Sequence, residues 1–427
     1  MSKLNITDKM LSEYFKMAKY ENGDCKLAIE DEEPIARKPL HMLHSVLQLT
    51  QLMYRTGPRW QVSLVRLFIA IVMFSIISYQ TGYYLYILLS YSSSYKASGV
   101  SIFCWIFQGF LAACFLNYWQ YTGQLQLLMS EIAWHEFEFF QNWKYAKRKL
   151  YRYYGTFGFI AVLTVSYMSL SFFLYYTDHP LGFSKLLPEL YLAYPCKHSF
   201  AITNIVFTYG ILTWLAVLMF YICISLIVYN EFELLNQKLQ KVGNRSETRA
   251  KVAENLLHLY DRQVTLASIV RQINSTFEVY TFLMIASTLP TTVFTLLSLI
   301  QRIRRGLIVS TMFSMPSLVF CIIEIAALTT APAKLHASIR AVEATTFGNR
   351  HLYLPYDSQV YEISNMFIAH SKQSDLGISV WGFALISKSI ILTSASLIIT
   401  YLTLLVEMDS RVKSDYMGNL NITALNS

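Results

Sequence analysis

The sequence predicts an all-α, seven-span membrane protein, amino terminus inside and carboxyl terminus outside, with long helices reaching into a cytoplasmic layer. Three observations carry this. Hydrophobic residues make up 54% of the 427 and charged residues only 15%, against about 25% charged in a soluble domain. Seven stretches, about 64–90, 98–120, 154–177, 201–229, 275–300, 307–331 and 385–408, reach the ~20 apolar residues that a spanning helix needs. With the amino terminus inside, 25 of the 35 Lys and Arg fall on the cytoplasmic side and 8 outside, the asymmetry that sets orientation.

The elements follow in order. Residues 1–60 are polar and mixed in charge, with an acidic knot at Glu30 to Glu33. They read as a cytoplasmic segment rather than a cleavable signal, so the first span serves as the insertion signal. Apolar residues at helical spacing predict a helix over 40–54. Residues 121–153 carry little Gly or Pro and extend the second and third spans as long cytoplasmic helices. Over 230–275 the spacing predicts two amphipathic helices broken at Gly243-Asn244, with Leu234, Leu235, Leu239, Val242, Leu256, Leu257 and Leu259 as an intracellular packing layer. Pro332 opens a stretch, 332–380, that holds another helix through Ile363, Met366, Phe367 and Ile368. A short apolar lead-in, Ile378 to Leu385, reads as a half-helix before the last span. Two domains result: a cytoplasmic segment, 1–60, and a seven-span unit, 61–427. Pro290 and Pro316 are expected to kink the fifth and sixth spans.

Charge and motif content exclude several functions. The net charge of +8 reflects topology and not an affinity for nucleic acid. Six cysteines show no metal spacing and imply no outer-loop disulfide. The nine histidines include no zincin pair, and no Gly-rich phosphate loop is present. No enzyme, metal or cofactor is expected. Asn421-Ile422-Thr423 is a glycosylation sequon in the outer tail, and Asn5-Ile6-Thr7 is a second in the inner terminus.

The last span carries the clearest functional pattern. Ser389, Thr393, Ser396, Thr400, Thr403 and Glu407 recur at steps of four, three, four, three and four, which aligns them on one helix face. Polar groups are costly in hydrocarbon, so such a stripe points to water. One helix cannot enclose water, and a pore therefore requires several copies around an axis. The plainer reading has the hydroxyls bonding back to their own helix.

The carboxyl-terminal sequence Thr400-Tyr401, five apolar or small residues, then Glu407-Met408 resembles the closing motif of the insect-type gustatory and odorant receptor superfamily. Gly382-Phe383, eighteen residues before Thr400, fits the same pattern. The resemblance in span order covers the whole chain; the motif covers about thirty residues. It implies a tetrameric ligand-gated cation channel whose last helices line a central pore. Tyr401 points away from the stripe, toward a neighbouring helix, and is expected at a subunit contact. The usual Gln is replaced by Glu407 and the usual Phe by Met408. Leu402 stands where sugar-sensing members often carry Glu.

Other residues are singled out by chemistry. Glu324 lies within the sixth span, where a charge costs ~2.5–3.5 kcal/mol or more, so it must face protein or water. Aromatic and hydroxyl residues in the outer halves of the spans, Trp105, Gln108, Tyr167, Tyr209, Trp214, Thr295, Ser314 and Met315, are candidates for a ligand pocket. Arg302, Arg304 and Arg305 break the positive-inside pattern and are placed to meet an anionic ligand or headgroup. The expectation is a chemosensory, nonselective cation channel of gustatory type in the plasma membrane of sensory cells. It opens to a small-molecule tastant, sits among membrane lipids and assembles as a homo- or heterotetramer. Two alternatives stand beside it: a non-conducting seven-span receptor signalling through cytoplasmic partners, and a light- or peroxide-responsive relative using buried tryptophans. Asp261-Arg262 resembles the acidic-Arg pair of G-protein-coupled receptors but follows the fourth span rather than the third.

Overall fold

The computed structural model describes residues 37–54, 64–90, 96–134, 137, 143–176, 197–243, 248–373 and 375–425. Residues 1–36, with Asn5, Cys25 and the acidic knot, lie outside them, as do Cys196 and Asn244. Eleven helices and one small hairpin make up the described residues: α1 (Arg37–Leu49), α2 (Leu64–Ser90), α3 (Lys96–Tyr121), α4 (Gln124–Trp134), α5 (Trp143–Tyr176), α6 (Lys197–Lys241), α7 (Arg249–Arg304), α8 (Ile308–Gly348), α9 (Arg350–Tyr353), α10 (Ser358–Ser371), β1 (Ser379–Val380), β2 (Ala384–Leu385) and α11 (Lys388–Leu425). Seven of them, α2, α3, α5, α6, α7, α8 and α11, are long and apolar enough to cross a membrane. The seven-helix class expected from the sequence is therefore the observed one.

Burial ranks the spans. In α6 the most apolar window is 89% buried, whereas in α2, α5 and α8 it is 22% and in α11 only 6%. Thus α6 is the hub, and the apolar outer faces of the other spans meet lipid, where apolar surface costs nothing. The hub is gripped by α3 at a glycine pair. A Cβ on Gly109 would sit 3.0 Å from the carbonyl carbon and oxygen of Gly210. Small residues let spanning helices pack backbone to backbone, which replaces the hydrophobic drive that is missing in lipid.

Four local readings are corrected. The second span does not run on as one long helix: Gly123 adopts φ 75° and separates α3 from α4, a conformation open to Gly without strain. Pro332 does not end the sixth span, and α8 continues to Gly348. A proline frees the carbonyl four residues back, here that of Leu328, and the buried Tyr221 hydroxyl donates to it at 3.4 Å. The lead-in 378–385 is not a half-helix but an antiparallel hairpin pairing Ser379 with Leu385 and Val380 with Ala384. Its turn places Trp381 and Gly382 at φ 49° and 73°. The early helix spans 37–49 and not 40–54; residues 50–54 leave it, and the Gln120 side chain fixes them by accepting from Tyr54 N and donating to Leu52 O.

The packing layer beyond the apolar parts of α6 and α7 forms largely as expected. α6 and α7 extend past their apolar cores and separate just after Gly243 (φ 77°). Leu235, Leu239, Val242, Leu256 and Leu259 are buried there, but Leu257 is exposed. Arg262 of α7 is ion-paired with the fully buried Glu231 of α6. Asp357 caps α10 by accepting from Val360 N at 3.0 Å. The hairpin is moored to α7: Asn274 Oδ1 accepts from Ser379 N at 2.6 Å, and Glu278 O accepts from Trp381 N at 3.2 Å. Nearby, the guanidinium of Arg271 donates to Asp375 at 2.8 Å and holds that carboxyl below the usual carboxylate range.

The Gly109–Gly210 contact yields a direct prediction. Gly109→Val drives a side chain into backbone and should sharply lower the fraction of monodisperse protein after mild heating. Gly82→Ala, whose Cβ meets nothing within 4 Å, should leave it unchanged. Fluorescence-detected size exclusion of the two variants checks this.

Candidate ligand cavity and pore helix

A cavity of about 120 Å³ opens between α3, α5, α6, α7 and α8. Each helix supplies its wall at helical spacing: Ser101, Ile102 and Trp105; Thr164, Tyr167, Met168 and Ser171; Asn204, Phe207, Ile211 and Trp214; Thr295, Ser298, Leu299 and Arg302; Ser314, Ser317 and Phe320. Trp105 and Trp214 meet edge to face at 5.7 Å, and Tyr167 stacks near Phe313 at 5.0 Å while donating to the Phe313 carbonyl at 3.2 Å. The Ser101 and Thr295 hydroxyls share a hydrogen bond of 2.7 Å.

The rim nearest the α7–α8 turn holds a buried charge, set by local chain geometry. α7 ends in a Schellman motif: Gly306 N donates to Ile303 O and Leu307 N to Arg302 O, each at 3.0 Å, with Gly306 at φ 70°. The tight reversal brings the start of α8 beside Arg302. Its Nη1 donates to Ser310 Oγ at 2.6 Å and Ser314 Oγ at 2.8 Å. Arg302 is only 7% exposed, so it belongs to the cavity wall. Arg304 and Arg305, by contrast, are exposed.

One turn inward from Trp105 and Phe320 lies a polar cluster. Gln108 Nε2 donates to Thr288 Oγ1 at 3.2 Å and to Glu324 Oε2 at 3.3 Å. Both Gln108 and Glu324 are fully buried. Glu324 therefore faces protein, as its depth requires, and the donor amide of Gln108 offsets part of its desolvation.

Five of the eight residues singled out as pocket candidates, Trp105, Tyr167, Trp214, Thr295 and Ser314, come together on this wall. Gln108 sits in the cluster beneath it. Tyr209 lines a different cavity, and Met315 is 42% exposed on the outside of α8. The sequence reading missed Thr164, Ser171, Asn204, Ser298 and Ser317. For four of them a signal was present: Thr164 and Ser171 lie three and four positions from Tyr167, Ser298 three from Thr295 and Ser317 three from Ser314.

The last span stands nearly alone. Ser394 is buried, and Ile390, Ile391, Ile398, Leu402 and Leu405 are half-buried; these mark the face that α11 lays on the bundle. Ser389, Thr393, Ser396, Thr400, Thr403 and Glu407 are all exposed. At 100° per residue, they lie about half a turn from the packed face. The stripe thus points directly away from its own protomer. Thr393, Thr400 and Thr403 donate to the carbonyls of Ser389, Ser396 and Ile399 at 2.9–3.0 Å. Tyr401 is exposed, off the stripe. The side chains of Met408 and Asn421 lie outside the described ones.

A bundle of seven spanning-length helices with an interhelical cavity and a last helix laid on its edge defines a class of multi-pass membrane protein. The family model for "7tm Chemosensory receptor" matches residues 38–411, and the chain belongs to that family. No curated protein sequence matches it. Among solved structures the fold is similar to that of the insect olfactory receptor OR5 from Machilis hrabei: TM-score 0.65, 12% identity, 87% of this chain and 98% of that one covered. The same receptor in complex with eugenol gives a TM-score of 0.66, also at 12% identity, 87% and 98% coverage.

The polar cluster makes a testable statement about stability. Gln108→Leu removes the donor that faces Glu324 and should cost about 1–3 kcal/mol. In a Glu324→Leu background the same change should cost far less. Thermal unfolding of the four proteins of this cycle in one detergent checks the coupling, and additive losses would separate the two residues.

Proposed function

We propose that the protein is a chemoreceptor channel subunit of gustatory type, in which a small molecule bound in the outer cavity gates a cation pore lined by α11. The observation that carries this reading is the stripe: six polar residues on the face of a spanning helix opposite its packed face. Left in lipid, that face exposes a carboxylate at the end of the apolar span Lys388–Glu407. Turned toward copies of itself, it encloses water and places a ring of Glu407 carboxylates at one mouth, where acidic groups concentrate cations. Four copies is the number implied by the closing motif, as a homotetramer or with related subunits. The amino terminus is assigned to the cytoplasm and Asn421 to the outside from the basic asymmetry, in the plasma membrane of sensory cells.

The ligand is a small, largely apolar molecule. Apolar cavities of about 150 Å³ hold benzene-sized guests, and this one is of similar size and aromatic-walled. That a structurally similar receptor has been solved in complex with eugenol, itself a small and largely apolar molecule, supports a ligand of this chemical kind. Binding shifts a closed–open equilibrium only through a difference in affinity between the two states.

One observation favours a non-conducting receptor. Three stripe hydroxyls bond back to their own helix, which a lipid-facing helix also needs. Glu407 separates the readings. Glu407→Gln keeps shape and should retain surface expression while lowering single-channel conductance and calcium permeability. Glu407→Lys should nearly abolish cation current. Conductance recorded alongside surface abundance decides it: conduction per channel unchanged in both variants removes Glu407 from the pore.

A further inference from the structure

A second cavity, of about 400 Å³, lies across α6 from the first, between α6, α5 and the chain from Val46 to Thr50. Val46, Phe157, Ala161, Leu212, Leu215 and Met219 make most of its wall, and none of its described lining residues is charged. On that wall the Tyr209 hydroxyl donates to the Thr50 carbonyl, and the Thr50 hydroxyl to the Leu47 carbonyl. Thr213 differs. It is only 1% exposed and stands by the Tyr209 side chain, yet its hydroxyl completes no hydrogen bond. Buried threonines elsewhere in the spans, Thr81, Thr164, Thr288 and Thr291, donate to the carbonyl four residues back, the usual way a helix satisfies a hydroxyl. Thr213 is therefore a buried polar group on a cavity wall with its hydrogen bond still to be made. The mouth of the cavity lies on α5. Gly158 is exposed there, and a Cβ on it would meet nothing within 4 Å. Its neighbours Phe159 and Val162 are exposed apolar residues of the same span.

We propose that this cavity is a second small-molecule site, for a neutral, mainly apolar alcohol that enters from the bilayer and hydrogen-bonds to Thr213. The wall disfavours a charged guest, because nothing on it offsets the desolvation of an ion. The Thr213 hydroxyl disfavours a plain hydrocarbon, which would leave that group buried and unpaired. Volume sets the size. A cavity of about 150 Å³ holds benzene, so this one admits a guest of roughly sixteen non-hydrogen atoms, about the size of a fifteen-carbon alcohol. α6 walls both cavities: Ile211 and Trp214 face the first, Leu212 and Thr213 the second. A guest here also packs against Val46 and Thr50, beside the hydrogen bond that ties Thr50 to the hub. The site stands independently of what the first cavity binds.

The test uses the full-length protein in phosphatidylcholine nanodiscs and farnesol carrying a photoreactive diazirine on its chain. Labelling is expected on residues 154–161 and 209–219, the segments that wall the cavity. Unlabelled farnesol should compete about five-fold better than farnesene, a hydrocarbon of like size, because only the alcohol satisfies Thr213. Thr213→Val keeps the shape, removes the hydroxyl and should erase that difference. Thr213→Ser restores a hydroxyl and should restore it, which separates the hydrogen bond from any loss of folding. Ala161→Phe fills the cavity and should remove the labelling of both segments. Labelling confined to other segments would overturn the site. Equal competition by farnesol and farnesene in the wild type, or a preference that survives Thr213→Val, would overturn the role of Thr213 and with it the proposal. Displacement of the probe by cholesterol and not by farnesol would give the cavity to a sterol and overturn the size assignment. Labelling of the same segments by a phosphatidylcholine bearing the diazirine in its acyl chain, undiminished by farnesol, would give the cavity to a lipid tail and overturn the proposal.

Discussion

The backbone contact between Gly109 and Gly210 organises the rest of the bundle. Lipid offers spanning helices no hydrophobic reward for association, so close packing and internal polar contacts must hold them. With no Cβ between them, α3 and α6 meet at backbone distance, and their neighbours are placed by that approach. Gln108, one residue before the contact, reaches Thr288 and Glu324. Trp105 and Trp214, each one turn from it, close edge to face in the wall of the first cavity. Tyr209, one residue before Gly210, turns the opposite way and ties α1 to the hub. Two cavities and a buried carboxyl thus share one junction.

Burial divides the molecule into a hub and a periphery. Where α6 is almost wholly enclosed, α11 is nearly bare, and what holds α11 is the hairpin before it and a narrow apolar face. The hairpin is hydrogen-bonded to Asn274 and Glu278 of α7, while the carboxyl-terminal end of α7 carries Arg302, Thr295 and Ser298 of the cavity wall. One continuous helix therefore runs from the cavity to the mooring of the last span. Continuity of this kind gives a path that coupling between the two sites would follow, with Pro290 lying between them.

Much of this was legible in the sequence, for reasons that differ by element. The seven spans follow from apolar runs longer than 20 residues, a signal no soluble helix imitates. The stripe on α11 was legible as a pattern because the helical period is strict. Which way it points was not, since that depends on the packed face at Ser394 and Leu405. The hairpin was misread because GISVWGFALIS is a short apolar run, and such runs do not distinguish strand from helix; the positive φ at Trp381 and Gly382 decides it. Pro332 was misread because its compensation is supplied by Tyr221, 111 positions earlier in the chain. Arg302 reads as a loop residue until the reversal at Gly306 folds α8 over it.

The central claim is that the exposed polar face of α11 is completed by other copies of the chain. Its most direct test is disulfide or bis-maleimide crosslinking in intact membranes, on a background lacking the reactive native cysteines. Thr403→Cys on the stripe should give covalent dimers and higher species, whereas Ser394→Cys, on the face packed against its own bundle, should remain monomeric. Equal behaviour of the two, or a Thr403→Cys protein that stays monomeric under both reagents, would contradict the account.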